Sequence, residues 1–104
     1  SELGLEHPAL IISCRALNEA AQFLRKLVVV PATSTQIAVK GKTISMHEEV
    51  FPSEVNGLIG TTYFMSEQIR SASTTRFRRL MGTIERTHLR NIEDKLCEVL
   101  SLNL

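Results

Sequence analysis

With 104 residues the chain has room for one hydrophobic core and no second domain. A hydrophobic share of 43% excludes a disordered chain, and no apolar run approaches the roughly 20 residues that span a bilayer or resembles a secretory signal. The formal net charge is only +1, so charge alone does not announce a nucleic acid, although Arg70, Arg76, Arg78, Arg79, Arg86 and Arg90 crowd the last third.

Ser1 to His7 is polar and reads as a loop. Pro8 to Ser13 predicts a short strand, its proline allowed at the first residue because the missing N–H need not join a ladder. Leu17, Ala20, Ala21 and Leu24 fall at i, i+3, i+4 and i+7, which predicts a short helical excursion over Ala16 to Leu24. Cys14 and Cys97 have no metal-ligand spacing and read as reduced thiols of a cytosolic protein, each packed as a small buried hydrophobe. Leu27 to Val30, closed by Pro31, is a β-branched run that predicts a strand covered on both faces.

Ala32 to Thr35 reads as a polar turn. Ile37 to Val39 and Thr43 to Met46 suggest a hairpin with Lys40, Gly41 and Lys42 at its tip. Phe51-Pro52 ends or edges a strand, and Asn56-Gly57 is a turn signal. Thr61 to Met65 predicts a central strand, Ser71 to Thr75 a loop, and Arg78 to Ile84 one more strand broken near Gly82. Leu89, Ile92, Leu96 and Val99 make a helical stripe, widened by Leu100, while Glu85 stands where a better N-cap is preferred. The sum is about six short strands with a closing C-terminal helix, mainly β and antiparallel, as a small barrel or sandwich.

One stretch is less generic. In Gly60 to Ser71 (GTTYFMSEQIRS) a β-branched and aromatic strand runs into a polar cluster of Ser66, Glu67, Gln68, Arg70 and Ser71, with Ile69 as an apolar anchor. A strand that ends in hydrogen-bonding groups presents them rigidly. The plain alternative is an ordinary strand exit with solvated side chains. Taken with SELGLEHPALIIS, LVVVPATS, FPSEV and RFRRLMGTI in order, this stretch resembles the MazF/PemK (Kid-like) family of toxin endoribonucleases. The resemblance covers nearly the whole chain, residues 1–104 forming one toxin domain. No single piece is diagnostic; the ordered set is.

That resemblance implies a small SH3-like barrel of the CcdB/PemK kind that dimerises and cuts single-stranded RNA without a metal or other cofactor. It implies an antitoxin partner whose extended, acidic C-terminal segment lies in the RNA groove, and a cytoplasmic location. The family's first strand lies ahead of a Gly-Ser-Glu-Gln-like loop that the opening Ser1 to His7 resembles, and this chain begins inside that loop, so that strand is expected to be absent. Residue by residue, the family's catalytic Thr falls on Thr33, its strand-end Gln on Gln68, and the Arg that precedes Pro on His7. Arg70 joins the catalytic set; Ser71, Arg76 and Arg78 are candidate RNA contacts, the last two sharing a face if the segment is a strand.

His7 is the main departure. In the reaction the family is thought to use, a 2′-hydroxyl attacks the adjacent phosphate, giving a 2′,3′-cyclic phosphate and a 5′-hydroxyl. This needs a proton acceptor, a proton donor and positive charge on the phosphorane. Arginine supplies permanent charge, whereas histidine exchanges protons near neutral pH and its charge is conditional. Two readings stay open: an active enzyme in which His7 moves a proton, and a weakened or inactive relative that binds RNA or an antitoxin. Leu3, where the family commonly has Gln, adds to the second. A gyrase poison of the CcdB type is a third, against which the absence of Trp and of a terminal aromatic counts. For Thr33 the alternative is a hydroxyl bonding its own backbone, for Gln68 and Arg70 a tie to the following loop. His47 and His88 read as surface or satisfied histidines, and Glu2 as a loop carboxylate.

Overall fold

The computed structural model describes residues 7–35, 38–39, 42–43 and 45–102. Its spine is one long strand. β1 (Ala9–Ile11) is followed by α1 (Arg15–Leu24) and then by the spine, β2 (Lys26–Thr33). A two-stranded hairpin, β3 (Ala38–Val39) and β4 (Lys42–Thr43), precedes β5 (His47–Val50), β6 (Thr62–Met65) and β7 (Arg70–Ser73). α2 (Arg86–Val99) closes the chain. The sheet is antiparallel throughout, in the order β1-β2-β6-β5, with β7 also on β2. The expected fold is therefore present as a mainly β, five-stranded open sheet with a C-terminal helix; among the described residues no pairing closes it into a barrel. Residues 1–6, with Glu2 and Leu3, lie outside the described set, as do Ile37, Lys40, Gly41 and Ile44 of the predicted hairpin.

β6 and β7 behave as one strand with an insertion. Phe64 pairs with Ala32 and Arg70 with Val29, so six steps along one strand face three along the other. The extra residues form a 3₁₀ turn, Ser66–Gln68, which bulges out of the ladder. This explains why Pro31 does not end β2, contrary to expectation. The N–H of Val28 and of Ala32 and the C=O of Val28 all turn toward β1 and the segments flanking it. By alternation, the missing N–H of Pro31 falls on the other side, between the last residue paired with β7 and the first paired with β6. The proline sits at the one break in that ladder.

Val30, Ala32, Val50 and Phe64 form the core with Ile92 and Leu96 of α2, and Leu10, Ile12, Leu58, Ile69 and Ile84 pack around them. α2 thus follows its predicted stripe, though Leu100 is half exposed. Glu85 does not cap it; its carboxylate instead accepts from Ser53 Oγ and from Nδ2 of Asn56 at 3.1 Å. Asn56 in turn accepts through Oδ1 from the N–H groups of Ser53 and Leu58, fixing the predicted Asn-Gly turn.

Four expectations are corrected. α1 buries only Ala21, and Leu24, placed on its inner stripe, is 58% exposed. Cys14 is exposed rather than packed, and Cys97 is half-buried. Ser71 to Thr75 is not a loop: β7 runs to Ser73 because residues Lys26 to Val29 offer it a partner, and a 3₁₀ turn, Thr74–Arg76, follows. Arg78 to Ile84 forms no strand; it runs against the turn at Val55 and Asn56, with the Thr83 N–H on Val55 O at 2.9 Å.

Candidate active-site groove

Where β2 ends, four polar side chains meet over a small apolar floor. A cavity of about 280 Å³ is lined by His7, Thr33, Gln68 and Arg70 together with Pro31, Ala32 and Met65. Each polar residue arrives by a different route. His7 is followed by Pro8, whose carbonyl accepts from the Ala32 N–H at 3.0 Å and ties the approach to β1 onto β2. Thr33 is the last residue of β2, Gln68 closes the 3₁₀ turn, and Arg70 opens β7 opposite Val29. The insertion between β6 and β7 is therefore what brings Gln68 and Arg70 to the same groove.

The Thr33 hydroxyl does bond its own backbone, accepting from the Thr35 N–H at 3.2 Å. This does not remove it from the groove: a hydroxyl that accepts keeps its own proton to donate. Arg70 is exposed and carries a permanent positive charge with a fork of donors suited to phosphate. Among the described residues no carboxylate lines the groove, and those that do line it favour an anion.

The other three candidates lie elsewhere. Ser71 follows Arg70 in the strand opposite Val28, so its side chain turns to the other face. Arg76 ends the 3₁₀ turn Thr74–Arg76, and Arg78 lies beyond it on an exposed segment. With no strand there, the two arginines do not share a face by strand alternation. Of the aromatics, Phe64 is core and Tyr63 donates its hydroxyl to Glu49 at 3.0 Å.

Sequence reasoning missed the carboxylates behind the groove. His47 and His88 each meet a carboxylate far away in sequence, His47 through one ring nitrogen only. His47 Nε2 lies 2.8 Å from Glu67, and His88 Nδ1 lies 2.7 Å from Glu48. Glu48 also accepts from Asn91 and Lys95 of α2, each at 2.9 Å. The nearest signal was the His-Glu-Glu run at the start of β5, whose first two residues are buried.

Solved structures share this fold. The Mycobacterium tuberculosis toxin MazF-mt6 superposes with a TM-score of 0.71 at 18% identity, over 94% of this chain and 89% of that one. An endoribonuclease in complex with its cognate antitoxin, from a mycobacterial species, gives 0.73 at 24% identity, over 99% and 89%. MazE-MazF (Form-III) from Deinococcus radiodurans gives 0.71 at 21% identity, over 94% and 88%. No curated protein matches the chain. The family described as PemK-like, MazF-like toxin of type II toxin-antitoxin system matches residues 1–100, and the chain belongs to that family.

Proposed function

We propose that the chain is the toxin of a type II toxin–antitoxin pair and acts as a sequence-specific, metal-independent endoribonuclease on single-stranded RNA. The observation that carries this reading is the convergence of His7, Thr33, Gln68 and Arg70 on one groove, with no carboxylate among its described lining residues. In the reaction, the 2′-oxygen attacks phosphorus, the bond to the 5′-oxygen breaks, and the products are a 2′,3′-cyclic phosphate and a 5′-hydroxyl. His7 exchanges the proton, taking it from the 2′-hydroxyl or giving one to the leaving oxygen. Arg70 balances the charge that develops on the phosphorane, and the Thr33 hydroxyl donates to a non-bridging oxygen. The Gln68 amide orients the nucleotide over Pro31 and Met65. Ser71, Arg76 and Arg78 lie outside the groove, and only a longer strand of RNA running beyond it would meet them.

The same groove, with Arg70 in it, suits the acidic segment of an antitoxin, and one structural relative is solved in complex with its cognate antitoxin. A broad second groove of about 970 Å³ along α2, lined by Leu89, Leu96 and Leu100, supports a homodimer. Its Arg86 and Arg90 precede Glu93 and Asp94, so an antiparallel copy would set opposite charges together. The second reading, a weakened relative that binds RNA or an antitoxin, is favoured by one feature: His7 supplies conditional charge where an arginine would supply a fixed one.

Cleavage of a long single-stranded RNA in EDTA tests the two, with His7→Arg and Thr33→Ala beside the wild type. Wild-type cutting at one short motif to give 5′-hydroxyl ends, lost in Thr33→Ala, supports the enzyme. Cutting by His7→Arg alone supports the weakened relative.

A further inference from the structure

Two consecutive residues of the 3₁₀ turn point to different partners. Gln68 lines the groove, whereas Glu67 reaches back to β5, where its Oε2 lies 2.8 Å from Nε2 of His47. A carboxylate only accepts, so Nε2 carries the ring proton. The His47 side chain is 1% exposed and that of Glu67 31%, and neither lines the groove. Nδ1 of His47 is buried and finds no partner among the described residues. The bond to Glu67 is thus the one hydrogen bond its imidazole makes there.

This matters because of where the turn sits. As an insertion between β6 and β7 it has no ladder of its own. Its backbone is held by the Ser66 N–H on Met46 O at 3.3 Å and the Ile69 N–H on Ser66 O at 3.2 Å, both at the long end of the range. Ser66 is fully buried, but its hydroxyl also finds no partner among the described residues, so that side chain adds packing and no directional tie. Ile69 fixes one end of the turn on the core. The other end also packs on β2 and α2, and the bond from β5 is the one side-chain hydrogen bond that a residue of the turn makes among the described residues, a directional tie that bears on where Gln68 points.

We propose that His47 and Glu67 are a positioning pair, holding the turn so that Gln68 and Arg70 face the RNA that neither His47 nor Glu67 touches. The catalytic consequence rests on the endoribonuclease reading; the hold on the turn does not. The pair acts through the turn alone, so losing either partner has the same effect as losing both.

The test uses the full chain, ¹⁵N-labelled, as wild type, Glu67→Ala, His47→Leu, the double variant, and Glu67→Gln, whose amide oxygen still accepts from Nε2. Circular dichroism checks each fold, and Glu67→Gln keeps the comparison open should an apolar variant fail to fold. One readout needs no RNA. The side-chain resonances of Gln68 and Arg70 are expected to move in Glu67→Ala and His47→Leu and to return toward wild type in Glu67→Gln. The other is cleavage of a long single-stranded transcript: kcat/KM falls about tenfold or more in each single variant and no further in the double, and Glu67→Gln recovers most of it. Folded variants with unmoved Gln68 and Arg70 resonances overturn the proposal, as do unchanged rates. Resonances that shift in the variants while the wild type cuts no RNA mean that the endoribonuclease reading has failed, and with it the catalytic role of the pair.

Discussion

Nδ1 of His88 on α2 lies 2.7 Å from Oε2 of Glu48 on β5, one of three contacts that converge on this buried carboxylate. The other two come from Asn91 and Lys95, so the helix offers i, i+3 and i+7, one continuous stripe. The same stretch of helix buries Ile92 and Leu96 in the core, so the polar stripe fixes the rotation of a helix that hydrophobic packing holds.

Acid should loosen this joint. Burial works to raise the Glu48 pKa, but hydrogen bonds from Asn91, His88 and Lys95, with the charge of Lys95, outweigh it and hold the carboxyl below its ordinary value of 4.5. A depressed folded value means that the native state favours the ionised form. The stability this adds is complete above the ordinary value and is lost as pH falls through the folded one. Glu48→Gln is expected to cost roughly 2–4 kcal/mol at neutral pH, a buried pair being broken with Lys95 left behind, and to flatten the acid limb of stability against pH. Urea unfolding between neutral pH and acid measures both, with Glu98→Gln, exposed on α2 and outside the groove, as the control.

Two glycines in one loop should respond unequally to the same change. Gly57 has φ +67°, and a Cβ there would lie 2.0 Å from Met81 O, a backbone atom that cannot swing aside. Gly57→Ala is expected to cost at least about 1–2 kcal/mol for the left-handed conformation, with the displaced Met81 segment adding to it. At Gly60 a Cβ meets nothing within 4 Å, and Gly60→Ala should leave the melting temperature nearly unchanged. Equal melting temperatures for the two variants would contradict the packing of Met81 and Gly82 against this turn.

The helices make the third contrast. Ile92 is fully buried while Phe23 is 80% exposed, although both sit on amphipathic helices. Ile92→Ala should cost about 2–5 kcal/mol in denaturant unfolding, as large-to-small core changes do, and Phe23→Ala close to nothing.

These differences show what could be read from residues alone. The stripe of α2 was legible because it repeats at the helical period, and the Leu27 to Val30 run because a short, continuous, mostly β-branched stretch suits a strand covered on both faces. The inner face of α1 was not, because periodicity names a stripe without saying how much of it a neighbour covers. Pro31 read as a stop, since nothing local says that its missing donor falls beside an insertion made more than 30 residues later. Ser71 to Ser73 read as a loop because three small, mostly polar residues carry little strand signal until β2 supplies the partner. Gln68 and Arg70 stood out as part of a polar cluster at a strand end, but only family resemblance joined them to His7 and Thr33, about which spacing and composition were silent. The pairs His47–Glu67 and Glu48–His88, 20 and 40 residues apart, leave no local trace at all.

Neighbouring residues on β7 give the sharpest test of the groove. Arg70 lines it and Ser71, the next residue, turns to the other face of the strand; both are exposed, so neither replacement should disturb the fold. If Arg70 balances charge on the phosphorane, Arg70→Ala should lower the single-turnover cleavage rate by about a hundredfold to a thousandfold, the loss seen when one oxyanion donor is removed. Arg70→Lys should recover only part of the rate, since a point charge replaces a planar fork. Ser71→Ala should cut at nearly the wild-type rate. An equal loss in Arg70→Ala and Ser71→Ala would move the RNA off the groove and onto the edge of β7. Loss in Ser71→Ala alone would place the reacting phosphate on the opposite face of the sheet, away from His7 and Thr33.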